Sequence, residues 1–207
     1  MDAPAKILLA SSNRGKLAEF QALAAAATGV IPAMELFPDF NSLPQFEESA
    51  PTFAENAAGK AAHYSRFTEL PVMADDSGLE VAALGGAPGV RSARYGGPGA
   101  SDADKIQKLI GEIRGKTGDE RAARFVCVLA VAHCGQVFAV TSDFAGGVLL
   151  DAPRGDGGFG YDPIFYVNEV EKTFAELSRE EKNRLSHRGK AFRRMLNAIG
   201  TIVVSGM

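Results

Sequence analysis

Five short stretches of the chain gather side chains that can do chemistry. The first is Ser11-Ser12-Asn13-Arg14-Gly15-Lys16. Small polar residues and a lysine around a helix start suit a phosphate, because the exposed N–H groups and the helix dipole both favour an anion there. The glycine–lysine spacing of a P-loop is absent. The same residues also read as an ordinary cap at Asn13 and a solvated Lys16. The second stretch is Asp75-Asp76-Ser77-Gly78, which follows the apolar Val72-Met73-Ala74. Two adjacent carboxylates at the end of a buried strand are costly without a positive partner. Side chains alternate along a strand, so one acid can bind a metal or brace the frame while the other reaches a water. The competing reading is an Asx turn with surface acids. The third stretch, Glu47-Glu48, is by itself a charged loop. It gains meaning if Asp76 needs an acidic partner for a divalent ion.

The fourth stretch, Gly155-Asp156-Gly157-Gly158-Phe159-Gly160-Tyr161-Asp162-Pro163, holds four glycines. They permit close backbone approach to a ligand. Phe159 and Tyr161 offer faces for a base, and Asp162 is a fixed acid. A mobile surface turn is the alternative, although a solvated turn has no use for two aromatics. The fifth stretch holds Lys182, Ser186, His187 and Arg188. It places two fixed cations and a titratable ring within seven residues. It also fits a solvated helix face. Cations gathered at Lys16 and again at Lys182–Arg188, in an acidic chain, suit a small polyanion rather than a nucleic-acid stripe.

The elements that must position these residues alternate. Lys6–Ala10 reads as a short buried strand. A helix follows from about Lys16, with Leu17, Phe20, Leu23, Ala24 and Ala27 at helical spacing. Gly29–Leu36 is a weaker strand and Phe37–Pro51 a loop. Thr52 and Glu55 form a capping box for a helix over Phe53–Arg66. Val72–Ala74 is a strand, and Leu79–Leu84 a further one. Gly85–Gly99, rich in glycine and proline, is loop. Ser101-Asp102-Ala103-Asp104 caps a helix that buries Ile106, Leu109, Ile110 and Ile113. Phe125–Ala132 is apolar on both faces, as in a central strand. Cys134-Gly135 returns the chain into Val137–Thr141. Asp151–Asp162 is loop, and Ile164–Val167 a strand. Ser178 caps a helical pattern that continues through Leu185, Phe192, Met195, Leu196 and Ile199, with a break expected at Ser186–Gly189. The fold class is α/β with a mixed sheet flanked by helices.

Composition narrows the setting. The chain has 207 residues, 46% of them hydrophobic and 23% charged, with a net charge of −3. That suits a single globular domain over residues 1–207 and argues against a broad nucleic-acid surface. No apolar run approaches membrane-spanning length, and the N-terminus does not read as a secretory signal. The two cysteines, Cys127 and Cys134, have neither disulfide-scaffold nor metal-ligand spacing, so they read as reduced thiols in a cytoplasmic protein. The three histidines are too scattered for zinc. If a metal works here, carboxylates hold it and it is hard: Mg2+, or Mn2+.

Taken in order, SSNRGK at 11–16, FAENAAGKA at 53–61, ADDSGLEV at 74–81, GGAPGVRSARYGG at 85–97, GFGYDPIF at 158–165 and SHRGKA at 186–191 resemble the inosine/xanthosine triphosphate pyrophosphatase family. These enzymes hydrolyse non-standard purine nucleoside triphosphates. The resemblance implies an elongated mixed sheet, two lobes with a central nucleotide cleft, a homodimer and a magnesium requirement. It implies Asp76 as general base and metal-linked acid, with Asp75 beside it. It assigns to the metal an acid from Glu47 and Glu48, of which Glu48 fits best. It places Ser11, Ser12, Asn13, Arg14, Gly15 and Lys16 at the phosphates, with Lys60 as a further candidate. It places Ser77, Phe159, Gly160, Tyr161, Asp162, Lys182, His187 and Arg188 at the nucleotide. Hydrolysis between the α- and β-phosphates then yields a monophosphate and pyrophosphate. A donor from His187 or Arg188 at the purine C6 carbonyl would reject adenine, which carries a donor there. Two rivals use the same residues: a nucleotide-binding module without hydrolysis, and a magnesium phosphatase releasing orthophosphate.

Overall fold

In a computed structural model that describes residues 6–27 and 31–204, the strands form one seven-stranded sheet in the order β2-β1-β3-β4-β5-β6-β7. The strands are β1 (Lys6–Leu9), β2 (Ala33–Leu36), β3 (Val72–Val81), β4 (Ala122–His133), β5 (Gln136–Leu149), β6 (Phe165–Val167) and β7 (Lys172–Thr173). β1 runs parallel to β2 and to β3, whereas β5–β6 and β6–β7 are antiparallel. The sheet is therefore mixed, as expected. The helices are α1 (Arg14–Ala25), α2 (Phe53–Tyr64), α3 (Asp102–Glu112), α4 (Arg179–Leu185) and α5 (His187–Val204).

The chain divides into two compact units. The first holds Met1–Asp76, Cys127–Asp143 and Arg188–Met207; the second holds Ser77–Val126 and Phe144–His187. Each has its own core. In the first, Ile7, Leu9, Met73, Leu129 and Val131 from the strands meet Phe20 and Leu23 of α1 and Phe192 and Met195 of α5. The rings of Phe20 and Phe192 lie 5.1 Å apart. In the second, Leu79, Val81, Phe125, Phe165 and Phe174 meet Ile106, Leu109 and Ile113 of α3. α3 is strongly amphipathic, and its Ser101–Asp104 capping box forms as its sequence requires.

Most expected elements are present, with shifted ends. The strand expected over Gly29–Leu36 is Ala33–Leu36, and residues 29 and 30 lie outside those described. The helix expected to Arg66 ends at Tyr64 and tightens into a 3-10 turn over Ser65–Phe67. Gly89–Arg94, inside the expected glycine-rich loop, is also 3-10. The helix break falls at Ser186, which separates α4 from α5. β5 runs well beyond the hairpin arm expected at Val137–Thr141.

One correction bears on chemistry. Asp75 and Asp76 do not end a strand, and Leu79–Leu84 is not a separate one. A single ten-residue strand, β3, runs from Val72 to Val81 through both acids, and residues 82–84 form a 3-10 turn. Asp-Ser-Gly has turn composition, but the backbone stays extended. The Ser92 hydroxyl accepts the Leu79 N–H at 2.8 Å, and Leu79 and Val81 are buried in the second core.

Candidate active site

In the first unit, β3 carries two neighbouring acids that are both buried, with Asp75 1% and Asp76 9% exposed. An Asx turn with surface acids is therefore excluded. Their surroundings differ sharply. Both Asp75 oxygens accept from Lys16 Nζ, at 2.9 and 3.1 Å. Burial alone would raise the Asp75 pKa, but Lys16, Arg188 and Lys60 hold it well below the usual carboxylate range. Asp76 meets a neutral partner instead: Asn56 Nδ2 donates to its Oδ2 at 3.0 Å. Burial, opposed by the Asn56 hydrogen bond and reinforced by the charges of Glu48 and Asp75, pushes Asp76 up to about 6. Two adjacent residues of one type thus hold protons very differently.

The helices deliver these partners by a shared pattern. In α1, Lys16, Phe20 and Leu23 are spaced i, i+4, i+7, and in α5 so are Arg188, Phe192 and Met195. Each apolar pair sits in the core, and the cation stands one turn nearer the helix start. Asn13 caps α1, its side chain accepting from Lys16 N at 3.0 Å. Ser11 Oγ accepts from Asn13 N at 3.0 Å. Ser12, Asn13, Arg14 and Gly15 are exposed. So Asn13 is a cap, but Lys16 is a half-buried ion-pair partner rather than a solvated lysine. Arg188 is buried, and its Nη1 donates to Glu19 of α1 at 2.6 Å.

The third stretch is held to α2. Lys60 Nζ donates to Glu48 Oε1 at 2.7 Å. Burial alone would lower the Lys60 pKa, but Asp75 and Glu48 raise it. Glu48 is half-buried and Glu47 exposed. The carboxylates of Glu48 and Asp76, close enough to raise the pKa of Asp76, make an oxygen-only donor set that fits a hard cation. Asp75 is differently committed, with both oxygens on Lys16. Among the described residues no cluster of three or more His, Cys, Asp or Glu has metal-site geometry.

The second unit holds the glycine-rich stretch. Phe159 is 45% exposed, and Lys182 Nζ lies 5.0 Å from its ring centre. Lys182 also donates to Asp162 Oδ2 at 2.5 Å, and the same oxygen accepts from Phe159 N at 2.9 Å. Gly158 has φ +73°, and a Cβ there would lie 2.0 Å from that oxygen, so only glycine fits. Gly160 N donates to Asp102 Oδ2 at 2.7 Å. Tyr161 is buried and its hydroxyl donates to Ser92 O at 2.9 Å, which makes it part of the scaffold. Ser77 is half-buried. His187 is buried, its ring stacked 4.8 Å from that of Phe125.

Sequence reasoning missed Asn56 and Glu19. A buried amide among the alanines of α2's inner face was the available signal for Asn56; nothing local marks Glu19.

The profile of the Ham1 family matches residues 7–198. A dITP/XTP pyrophosphatase of Geobacillus kaustophilus is 50% identical over 190 residues, 92% of each chain. One from Thermus thermophilus is 48% identical over 196 residues, 93% of this chain and 91% of that one. A HAM1 protein from Coxiella burnetii superposes with TM-score 0.83 at 41% identity, over 95% of this chain and 99% of that one.

The ion pair generates a prediction. Lys16→Met leaves the fully buried Asp75 carboxylate short of its main counter-charge and lowers stability at pH 7 by about 3 kcal/mol. Because the folded pKa of Asp75 is depressed, its stabilisation is complete above the unfolded value of about 3.9 and shrinks as pH falls toward the folded one. Urea unfolding of both proteins at pH 7 and pH 3 should show the gap narrowing at pH 3. An equal gap at both pH values contradicts the assignment.

Proposed function

The chain belongs to the Ham1 family, and from that premise we propose that it hydrolyses non-standard purine nucleoside triphosphates, dITP, ITP and XTP, to the monophosphate and pyrophosphate. The observation that carries the reading is the split pair on β3: Asp75 held as an anion by Lys16, and Asp76 raised to about 6 beside Glu48. A binding module has no need of a carboxylate tuned this way, whereas a general base does.

Asp76 accepts a proton from the attacking water. At neutral pH it is largely ionised, yet basic enough to take that proton. An ammonium has three N–H groups; Lys16 spends two on Asp75, and the third faces phosphate. The start of α1, where Ser12–Gly15 are exposed, adds the N–H groups and dipole that suit the triphosphate. Lys60 supplies a second positive charge. Asp76 and Glu48 would hold Mg2+ or Mn2+; when bound, the metal neutralises phosphate charge and acidifies a water. Asp75 stands behind Lys16 as its anchor.

For the base, Phe159 offers a stacking face and Lys182, pinned by Asp162, its cationic edge. A donor from His187 or Arg188 toward the C6 carbonyl favours hypoxanthine and xanthine over adenine. One such contact is worth about 1–3 kcal/mol, or roughly tenfold to a hundredfold. The proposal extends to residues 1–207 working as one catalytic domain, as a homodimer, in the cytoplasm, where the exposed thiol of Cys134 stays reduced.

Two variants test the halves separately. Asp76→Asn keeps shape but removes the base, so kcat for pyrophosphate release from dITP should fall by about 10³-fold while circular dichroism is unchanged. Near-normal turnover, or orthophosphate as the product of the wild type, rejects the reading. Phe159→Ala should raise KM for dITP by about tenfold with kcat little altered. An unchanged KM removes Phe159 from the base site.

A further inference from the structure

Asn56 takes no part in the chemistry above, yet it is 0% exposed and makes three side-chain hydrogen bonds. Its Nδ2 donates to Asp76 Oδ2 at 3.0 Å and to Ala50 O at 3.3 Å, and its Oδ1 accepts from Ala50 N at 3.0 Å. One amide thus touches a site acid and grips the backbone two residues beyond Glu48. The residue type fits: a cation here would neutralise Asp76, and a carboxylate would repel it. A neutral amide fixes the acid and leaves its charge in place.

The rest of the Glu48 loop is held to the same helix. His63 Nε2 donates to Pro44 O at 2.7 Å, and Phe46 N donates to the Tyr64 hydroxyl at 3.2 Å. The Phe46 ring rests on Gly59, where a Cβ would lie 2.6 Å from its Cζ. The loop therefore takes its position from α2, a rigid element, rather than from its own conformation.

We propose that Asn56 is a positioning residue that sets the spacing of the Glu48 and Asp76 carboxylates, holding Asp76 by Oδ2 so that Oδ1 is the oxygen presented for reaction. The proposal rests on the reading that these two acids serve one cation and one substrate.

The test compares wild type, Asn56→Ala, Gly59→Ala and the double variant Gly59→Ala/Phe46→Leu. Three readouts are used: Mn2+ affinity without nucleotide by electron paramagnetic resonance, kcat and KM for dITP with saturating Mg2+, and circular dichroism. Asn56→Ala should weaken Mn2+ binding and lower kcat by about tenfold each, as loss of a ligand's hydrogen-bond partner does. KM for dITP should stay within about threefold, since uniform substrate binding is untouched. Gly59→Ala favours helix but displaces the Phe46 ring and the Glu48 arm, so it should weaken Mn2+ binding without touching Asp76. Adding Phe46→Leu should restore it. A folded Asn56→Ala with wild-type Mn2+ affinity and kcat overturns the proposal. If that variant does not fold, wild-type Mn2+ affinity and kcat in a folded Asn56→Asp, which keeps the shape but offers Asp76 no amide N–H, overturn it instead. A wild type that binds no Mn2+ also overturns it. A wild type that releases no pyrophosphate, while both single variants still weaken Mn2+ binding, removes the pyrophosphatase reading and leaves the positioning role standing.

Discussion

Two carboxylates side by side on a buried strand repel each other and resist dehydration, so their surroundings must differ if both are to be accommodated. Much of the first unit is arranged around that constraint. Successive residues of β3 point to opposite sides, and the chain meets the two acids with opposite chemistry. Asp75 receives Lys16 directly and the fields of Arg188 and Lys60. Asp76 receives the neutral amide of Asn56 and the unfavourable charges of Glu48 and Asp75, which the charge of Lys60 offsets only in part. Packing serves the same end. The Phe20–Phe192 contact that joins α1 to α5 stands one turn beyond Lys16 on one helix and Arg188 on the other. The apolar core thereby fixes where the cations stand.

The proposed reaction follows from that asymmetry. A carboxylate held ionised by its partners is a poor proton acceptor but a good anchor, and Asp75 anchors Lys16, the lysine proposed to face phosphate. A carboxylate whose pKa is raised is the better base, and Asp76 has that character. Glu48 and Asn56 both belong to the α2 assembly, so one helix governs the acid and its neighbour. The second unit contributes different physics: an exposed aromatic face, a lysine pinned to Asp162, and a glycine whose missing Cβ lets that acid approach the backbone.

Local features were readable in advance. The caps at Asn13, Thr52, Ser101 and Ser178 all form as residue type and spacing require. So do the strand–turn–helix at the start, the twice-covered β4 and the interruption at Ser186. What escaped notice depended on distant partners. β3 stays extended through Asp-Asp-Ser-Gly between its sheet neighbours β1 and β4, and the Leu79 N–H that follows is taken by Ser92, thirteen residues away. β5 passes through Gly146-Gly147, which reads as a breaker; yet a Cβ at Gly147 would lie 2.5 Å from Tyr166 O, so the close approach of β6 explains the glycine. Lys16 and Asp75 are 59 residues apart, and Arg188 and Glu19 are 169 apart. No local periodicity reports such pairs. Asn56 was marked only by its place among the alanines of α2's inner face; its partners, Asp76 and the backbone of Ala50, lie outside that helix and leave no mark on it.

The proposed chemistry depends on the difference between the two neighbouring acids, and carbon-detected NMR titration of the aspartate carboxyls in the metal-free protein measures that difference directly. Asp76 should titrate with a midpoint of about 6, while Asp75 stays ionised down to the lowest pH at which the protein remains folded. Two carboxyls titrating together near the ordinary value of about 3.9, or Asp75 as the higher of the two, would contradict it.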